Sequence, residues 1–178
     1  MHPTSSYKGG TALKNATRRI ALLGLCASVA MILSYVESLL PPILAAIPGI
    51  KMGLPNIVIV FVLYRLGARD AITVSLVRVI AVGLLFGTPI SMAYSAAGAI
   101  LSLLGMALLK KTDLLSEVGV SVAGGVLHNV GQILLAMVLM GTAELGYYLV
   151  FLAISGTISG ILIGLCGAFA VKRVKINK

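Results

Sequence analysis

Apolar positions along this chain neither alternate nor recur in narrow stripes. They run in long blocks, cut by short clusters of glycine, proline and charge. A membrane-spanning helix needs about 20 mostly apolar residues. On that ruler the blocks predict helices near 19–40, 54–67, 70–87, 90–110, 116–141 and 145–171. The separators have turn chemistry: Gly67 before Arg69-Asp70, Gly87-Thr88-Pro89, Lys110-Lys111-Thr112-Asp113 and Gly141-Thr142. The second block is short and follows a Pro/Gly-rich stretch from Pro41-Pro42 through Pro48-Gly49 to Gly53-Leu54-Pro55, so it is expected to be tilted, broken or only partly spanning. The first block is too long for the roughly 7–15-residue core of a signal peptide. The expected domains are a polar cytoplasmic tail over 1–18, with room for a short interfacial helix at its end, one six-helix transmembrane domain over 19–172, and a cytoplasmic tail over 173–178.

Composition agrees with the pattern. Of 178 residues 59% are apolar and 11% charged, and mean hydropathy is +1.08, against about 45–50% apolar and 25% charged in soluble domains. A soluble fold of this size could not bury so much apolar surface. Two cysteines exclude a disulfide scaffold. The net charge of +9 would in a soluble protein suggest nucleic acid; here its placement sets topology. With the N-terminus inside, the inner segments hold Lys8, Lys14, Arg18, Arg19, Arg65, Arg69, Lys110, Lys111, Lys172, Arg173, Lys175 and Lys178, leaving only Lys51 outside and Arg78 within a helix. That bias fits an all-α integral membrane protein with six transmembrane helices and both termini cytoplasmic, a multi-pass cell-membrane protein.

Arg78 carries the most information. It lies eight residues after Asp70, about 12 Å along a helix, where a charge costs at least about 2.5–3.5 kcal/mol. It either meets an anionic solute group, for which its planar fork is suited, or bonds to helix-end carbonyls or Glu37. The loop 48–56 has glycines for sharp turns, with Lys51 on the outer side and Asn56 placed to cap or line the second helix. It reads as the mouth of an outward-facing pocket near Glu37, or as a re-entrant turn anchored by Lys51. His128, Asn129 and Gln132 share one sector of a helix and serve either as solute ligands or as interhelical hydrogen-bonding groups. No metal is expected, since no second histidine or cysteine stands at ligand spacing. Gly156, Gly160 and Gly164 form a small-residue ridge on the last helix; Ala93 with Ala97, Gly98 with Ser102, and Gly24 with Ser28 form others, for packing or for docking a partner. No catalytic signature appears: there is no P-loop, no GxSxG and no Asp-rich cluster to hold Mg²⁺ and diphosphate. The expectation is a non-enzyme without a cofactor.

Pro-Gly-Ile-Lys-Met-Gly-Leu-Pro-Asn-Ile (48–57), Leu-Gly-Ala-Arg-Asp-Ala (66–71), Arg78 with Leu85-Phe-Gly-Thr-Pro89, and His-Asn-Val-Gly-Gln (128–132) together resemble the Gx transporter family, also called heptaprenyl diphosphate synthase component I. That family is similar to the substrate-binding S components of energy-coupling factor (ECF) transporters. The resemblance implies an S-component-like six-helix bundle that captures a small, anionic or amphipathic solute from outside. Its ligand-binding residues would be Arg78, Lys51, Asn56, His128, Asn129, Gln132 and Glu37. Its partners would be the lipid bilayer, the solute, and either a T subunit with ATPases or another membrane complex, without nucleic acid. S components commonly carry Ala-x-x-x-Ala on the first helix; here Ala27 is followed by Met31, with Gly24/Ser28 an approximation. The alternative is a non-catalytic scaffold in an isoprenoid, quinone or flavin-linked electron-transfer system.

Overall fold

A computed structural model describes residues 6–39 and 53–174, with side chains from residue 16 onward. Among the described residues the chain is helical and contains no strand. Helix α1 runs Ser6–Leu39, α2 Asn56–Arg65, α3 Ala68–Leu85, α4 Pro89–Thr112 and α5 Glu117–Met140; a 3-10 turn, Glu144–Tyr148, leads into α6, Leu149–Arg173. Sequence and structure differ most at the start of α1, which includes much of the expected N-terminal tail. Side-chain apolarity marks where a chain meets lipid, whereas helical hydrogen bonds need only compatible backbones. Ala12, Leu13, Lys14, Ala16, Arg18 and Arg19 are strong helix formers with no proline among them.

Among the described residues, four segments are long and apolar enough to cross a membrane: Ala16–Leu39, Pro89–Thr112, Glu117–Met140 and Glu144–Arg173. Helix α3 has 18 residues but carries Arg69, Asp70 and Arg78. Helix α2 has only ten, about 15 Å of rise, half of a bilayer's hydrocarbon thickness. It is apolar on all sides because it is surrounded. Val58 to Leu63 are all buried, and α2 packs against α1, α3 and α6. The rest of the bundle is sequential, α3 on α4, α4 on α5, α5 on α6, with α1 against α3.

The closest packing is between α5 and α6. A Cβ on Gly160 would stand 2.6 Å from the Val122 Cα, and one on Gly164 2.8 Å from the Val118 Cα. Gly156 faces the Gly125 backbone in the same way. The glycine ridge of α6 is therefore an internal seam. Ala97 works similarly, its carbonyl lying under Gly131 of α5, while Ala93 is half-buried. The Gly24/Ser28 pair differs. Both residues are exposed, no neighbouring atom lies within 4 Å of a Cβ built on Gly24, and Ser28 Oγ donates to the Gly24 carbonyl.

Basic residues tie one end of the bundle. Arg19 Nη2 and Nε donate to the two carboxylate oxygens of Asp70 at 2.6 and 3.3 Å, joining α1 to the first turn of α3. Lys110 Nζ donates to the Leu63 carbonyl at 2.6 Å, and Arg65 Nη2 to the Val174 carbonyl at 2.7 Å. These cations meet carbonyls at helix C-termini, where the helix dipole favours positive charge.

Candidate functional site

At the opposite end, α1, α3 and the first turns of α4 enclose a cavity of about 220 Å³. The buried part of its lining includes Ser34, Glu37 and Arg78, and its lining reaches the surface at Ser38, Gly87 and Thr88. The α3–α4 turn shapes it. Pro89 begins α4, and Thr88 caps it: Thr88 Oγ1 accepts from the Ser91 backbone N–H at 3.1 Å while Ser91 Oγ accepts from the Thr88 N–H at 2.9 Å. That reciprocal cap holds Ser91, and Ser95 one turn further on, in the cavity wall. Tyr35 of α1 and Phe86 at the end of α3 pack with ring centroids 5.0 Å apart and planes tilted by 46°, joining α1 to α3 beside the cavity.

Glu37 lines this cavity and also holds backbone. Its Oε1 accepts from the Gly53 N–H, and from the Leu54 N–H at 3.4 Å. Gly53 presents its N–H at φ +83, a left-handed conformation that glycine adopts without steric cost. Here Glu37 joins the end of α1 to the entry of α2, and its charge acts on Arg78.

Arg78 is 7% exposed. Its Nε and Nη2 are buried and have no hydrogen-bond partner among the described residues. Those two N–H groups form one edge of the guanidinium, which can grip two oxygens of a carboxylate or phosphate at once. The protein uses this edge elsewhere: Arg19 holds Asp70 through its own Nε and Nη2. At Arg78 the corresponding edge holds no hydrogen-bond partner among the described residues.

A family model described as heptaprenyl diphosphate synthase component I matches residues 26–170. The chain belongs to that family. Comparison with curated proteins and with solved structures returns no match.

In this component I chain the residues singled out from sequence do not all converge. Arg78 and Glu37 come together at the cavity. Asn56 is buried beside Gly53, with its backbone N–H on the Gly53 carbonyl at 2.8 Å; the N-cap position belongs to Pro55, so Asn56 opens α2 without capping it. Lys51 lies outside the described residues. His128, Asn129 and Gln132 are buried on α5 but are not among the residues lining the Arg78 cavity. Asn129 Nδ2 donates to the Leu152 carbonyl of α6 at 2.8 Å, and the His128 ring packs over Gly98 of α4. Both contacts join helices. Gln132 has neither side-chain amide atom hydrogen-bonded among the described residues.

Sequence reasoning missed the hydroxyls of this component I site: Ser34, Ser38, Thr88, Ser91 and Ser95. Their signal was present as two polar i, i+4 pairs, 34/38 and 91/95, each one helical turn long. Ser34 Oγ donates to the Ala30 carbonyl and Ser38 Oγ to the Tyr35 carbonyl. Serine hydroxyls retain acceptor capacity when so engaged, so the wall offers oxygen acceptors around a guanidinium donor.

Proposed function

We propose that this protein is a membrane-embedded, non-catalytic subunit that binds a small solute through an oxyanion group held by Arg78. The observation carrying this reading is the buried Nε/Nη2 edge of Arg78 beside a cavity with hydroxyls in its wall. Glu37, engaged with backbone N–H groups, tempers the net charge of the cavity, which favours a solute with polar or donor groups beside its oxyanion. The topology proposed is six membrane segments with α2 partly spanning, both termini cytoplasmic, and the Arg78 cavity opening on the outer side. The gathering of Arg19, Arg65 and Lys110 at the other end supports that orientation. The non-catalytic reading rests on the dispersed acidic residues: Asp70 is engaged by Arg19 and Glu37 by backbone, so neither is available to a cluster that binds Mg²⁺ and diphosphate. The motifs that resemble the Gx transporter family, itself similar to ECF S components, extend the reading to solute uptake with a T subunit and ATPases.

Thermal unfolding of the purified protein in nanodiscs, with a panel of carboxylate vitamins and prenyl phosphates, tests the solute. At least one should raise the midpoint; Arg78→Ala should abolish the rise, and Arg78→Lys, which keeps charge but loses the fork, should diminish it. A panel without effect, or a rise that survives Arg78→Ala, would overturn the reading. For topology, single cysteines at Thr112 and Thr142, in a background with Cys26 and Cys166 replaced, should label from the inner and outer faces respectively.

A second reading follows from the family's name, in which this chain is one component of a synthase. On that reading it is a membrane scaffold for a prenyl-chain enzyme. Affinity purification should then recover a stable stoichiometric partner while no solute changes the unfolding midpoint.

A further inference from the structure

Gln132 of α5 is 4% exposed, and neither its Oε1 nor its Nε2 has a hydrogen-bond partner among the described residues. The fold does satisfy its neighbour in the same sector, since Asn129 Nδ2 donates to the Leu152 carbonyl at 2.8 Å. In a membrane interior no bulk water is at hand to replace such a partner. Packing sets Gln132 at the level of the Arg78 cavity. A Cβ on Gly131 would lie 2.6 Å from the Ala97 carbonyl oxygen and 3.0 Å from the Gly98 Cα, so α5 touches α4 at the residue before Gln132. Ser95, which lines the cavity, is two residues from Ala97 on α4, about 3 Å of rise. The two sites also share a face of α4. Ser91 and Ser95 of the cavity wall and Gly98 fall within about 60° of arc, and a Cβ on Gly98 would stand 2.8 Å from the His128 ring of α5. In helical projection Gln132 falls between Gly131, against α4, and Asn129, against α6, and so faces the bundle interior.

We infer that the solute bound at Arg78 carries a second polar element, a carboxamide-type edge with adjacent donor and acceptor, which pairs with the Gln132 side chain. The inference rests on the reading of Arg78 given above and adds the far end of the solute. A glutamine amide presents an acceptor and donors side by side. Its complement is another amide edge, as in a primary carboxamide, a lactam or a cyclic urea, and one such pair satisfies both orphaned atoms at once. A second carboxylate could only accept from Nε2, and an ammonium could only donate to Oε1, so each would leave half of the amide unpaired. A buried water would satisfy Gln132 alone. A solute with an oxyanion at one end and an amide edge at the other satisfies Arg78 and Gln132 together, across the face of α4 that both sites share.

Calorimetric titration of the full chain in nanodiscs with the straight-chain ω-carboxamide acids from succinamate to suberamate, each against the matching monomethyl ester, tests the second contact. The ester keeps the carboxylate, the length and an acceptor but loses the N–H donors. At least one carboxamide should bind at least about tenfold more tightly than its ester, and Arg78→Ala should abolish its binding. Gln132→Leu should bring the ratio near one. Without ligand, the same variant should unfold at or above the wild-type midpoint, because its amide has no internal hydrogen bond to lose. If amide and ester bind equally to wild type in an Arg78-dependent manner, water fills the Gln132 site: the second contact is overturned and the Arg78 reading stands. If no member of the series shows Arg78-dependent binding, both fall. A preference that survives Gln132→Leu, or a ligand-free Gln132→Leu protein less stable than wild type, would overturn the second contact by showing that the solute's amide or the glutamine's is paired elsewhere.

Discussion

Replacing Gly160 by alanine is expected to destabilise the bundle, although alanine is the better helix former. The new Cβ would lie 2.6 Å from the Val122 Cα, 3.0 Å from the Ser121 carbonyl oxygen and 3.2 Å from the Val122 nitrogen. All three belong to the backbone of α5, so no side chain can rotate aside. Carbon atoms pack best at about 3.5–4.0 Å, so α5 and α6 must separate locally by about 1 Å. A gap of that size forfeits roughly a quarter to a half of each dispersion contact it opens. Overpacking of this kind costs about 1–3 kcal/mol, and the glycine-to-alanine gain in helix propensity, about 1 kcal/mol, offsets part of it. The expected net loss is up to about 2 kcal/mol. Gly24→Ala supplies the control, because nothing surrounds that position within 4 Å and only the propensity gain applies. Equilibrium unfolding by SDS titration from mild detergent micelles, followed by circular dichroism, should move the two midpoints in opposite directions. Equal responses of the two variants, or a Gly160→Ala protein more stable than wild type, would refute the reasoning.

Asn129→Leu removes the hydrogen bond to the Leu152 carbonyl and should cost about 0.6–2 kcal/mol in the same titration; no loss would mean that this bond is not holding α5 to α6. Thr88→Ala deletes half of the reciprocal cap at the start of α4 and should lower stability by about 1 kcal/mol, with Thr88→Ser retaining most of it; an alanine variant as stable as the serine one would show that the cap is dispensable. Arg19→Gln and Asp70→Asn should each lower the unfolding midpoint because the pair is bidentate and Asp70 is buried, and the double variant should lose less than the two single losses together. Strict additivity would show that the two side chains do not interact in solution.

How far the sequence could be read depends on the kind of feature. The ends of α3, α4 and α5 fall within a few residues of the positions expected from apolar blocks and turn residues, because Gly67, Pro89 and Gly141 act locally: two allow positive φ and one fixes the first helical turn. The start of α1 was not legible, since helix continues beyond the apolar block. Arg78 stood out because a charge deep in an apolar run is expensive wherever the chain folds. Ser91 and Ser95 did not stand out, because serines are tolerated in membrane helices at little cost; only the neighbours reveal that they line a cavity. His128, Asn129 and Gln132 were legible as a shared helical sector, but which helices they face was not.

The sequence by itself determined that this chain belongs in a bilayer and which end of each segment carries positive charge, because hydropathy and charge placement act through single segments against the solvent. Only the tertiary structure decided that Glu37 and Arg78, 41 residues apart in the chain, share a cavity. It also decided that α2 is enclosed and that the α6 glycines are an internal seam. Those facts depend on which helix faces which, and helix facing is settled by close packing between segments distant in the chain, a relation that no one segment's residue pattern contains.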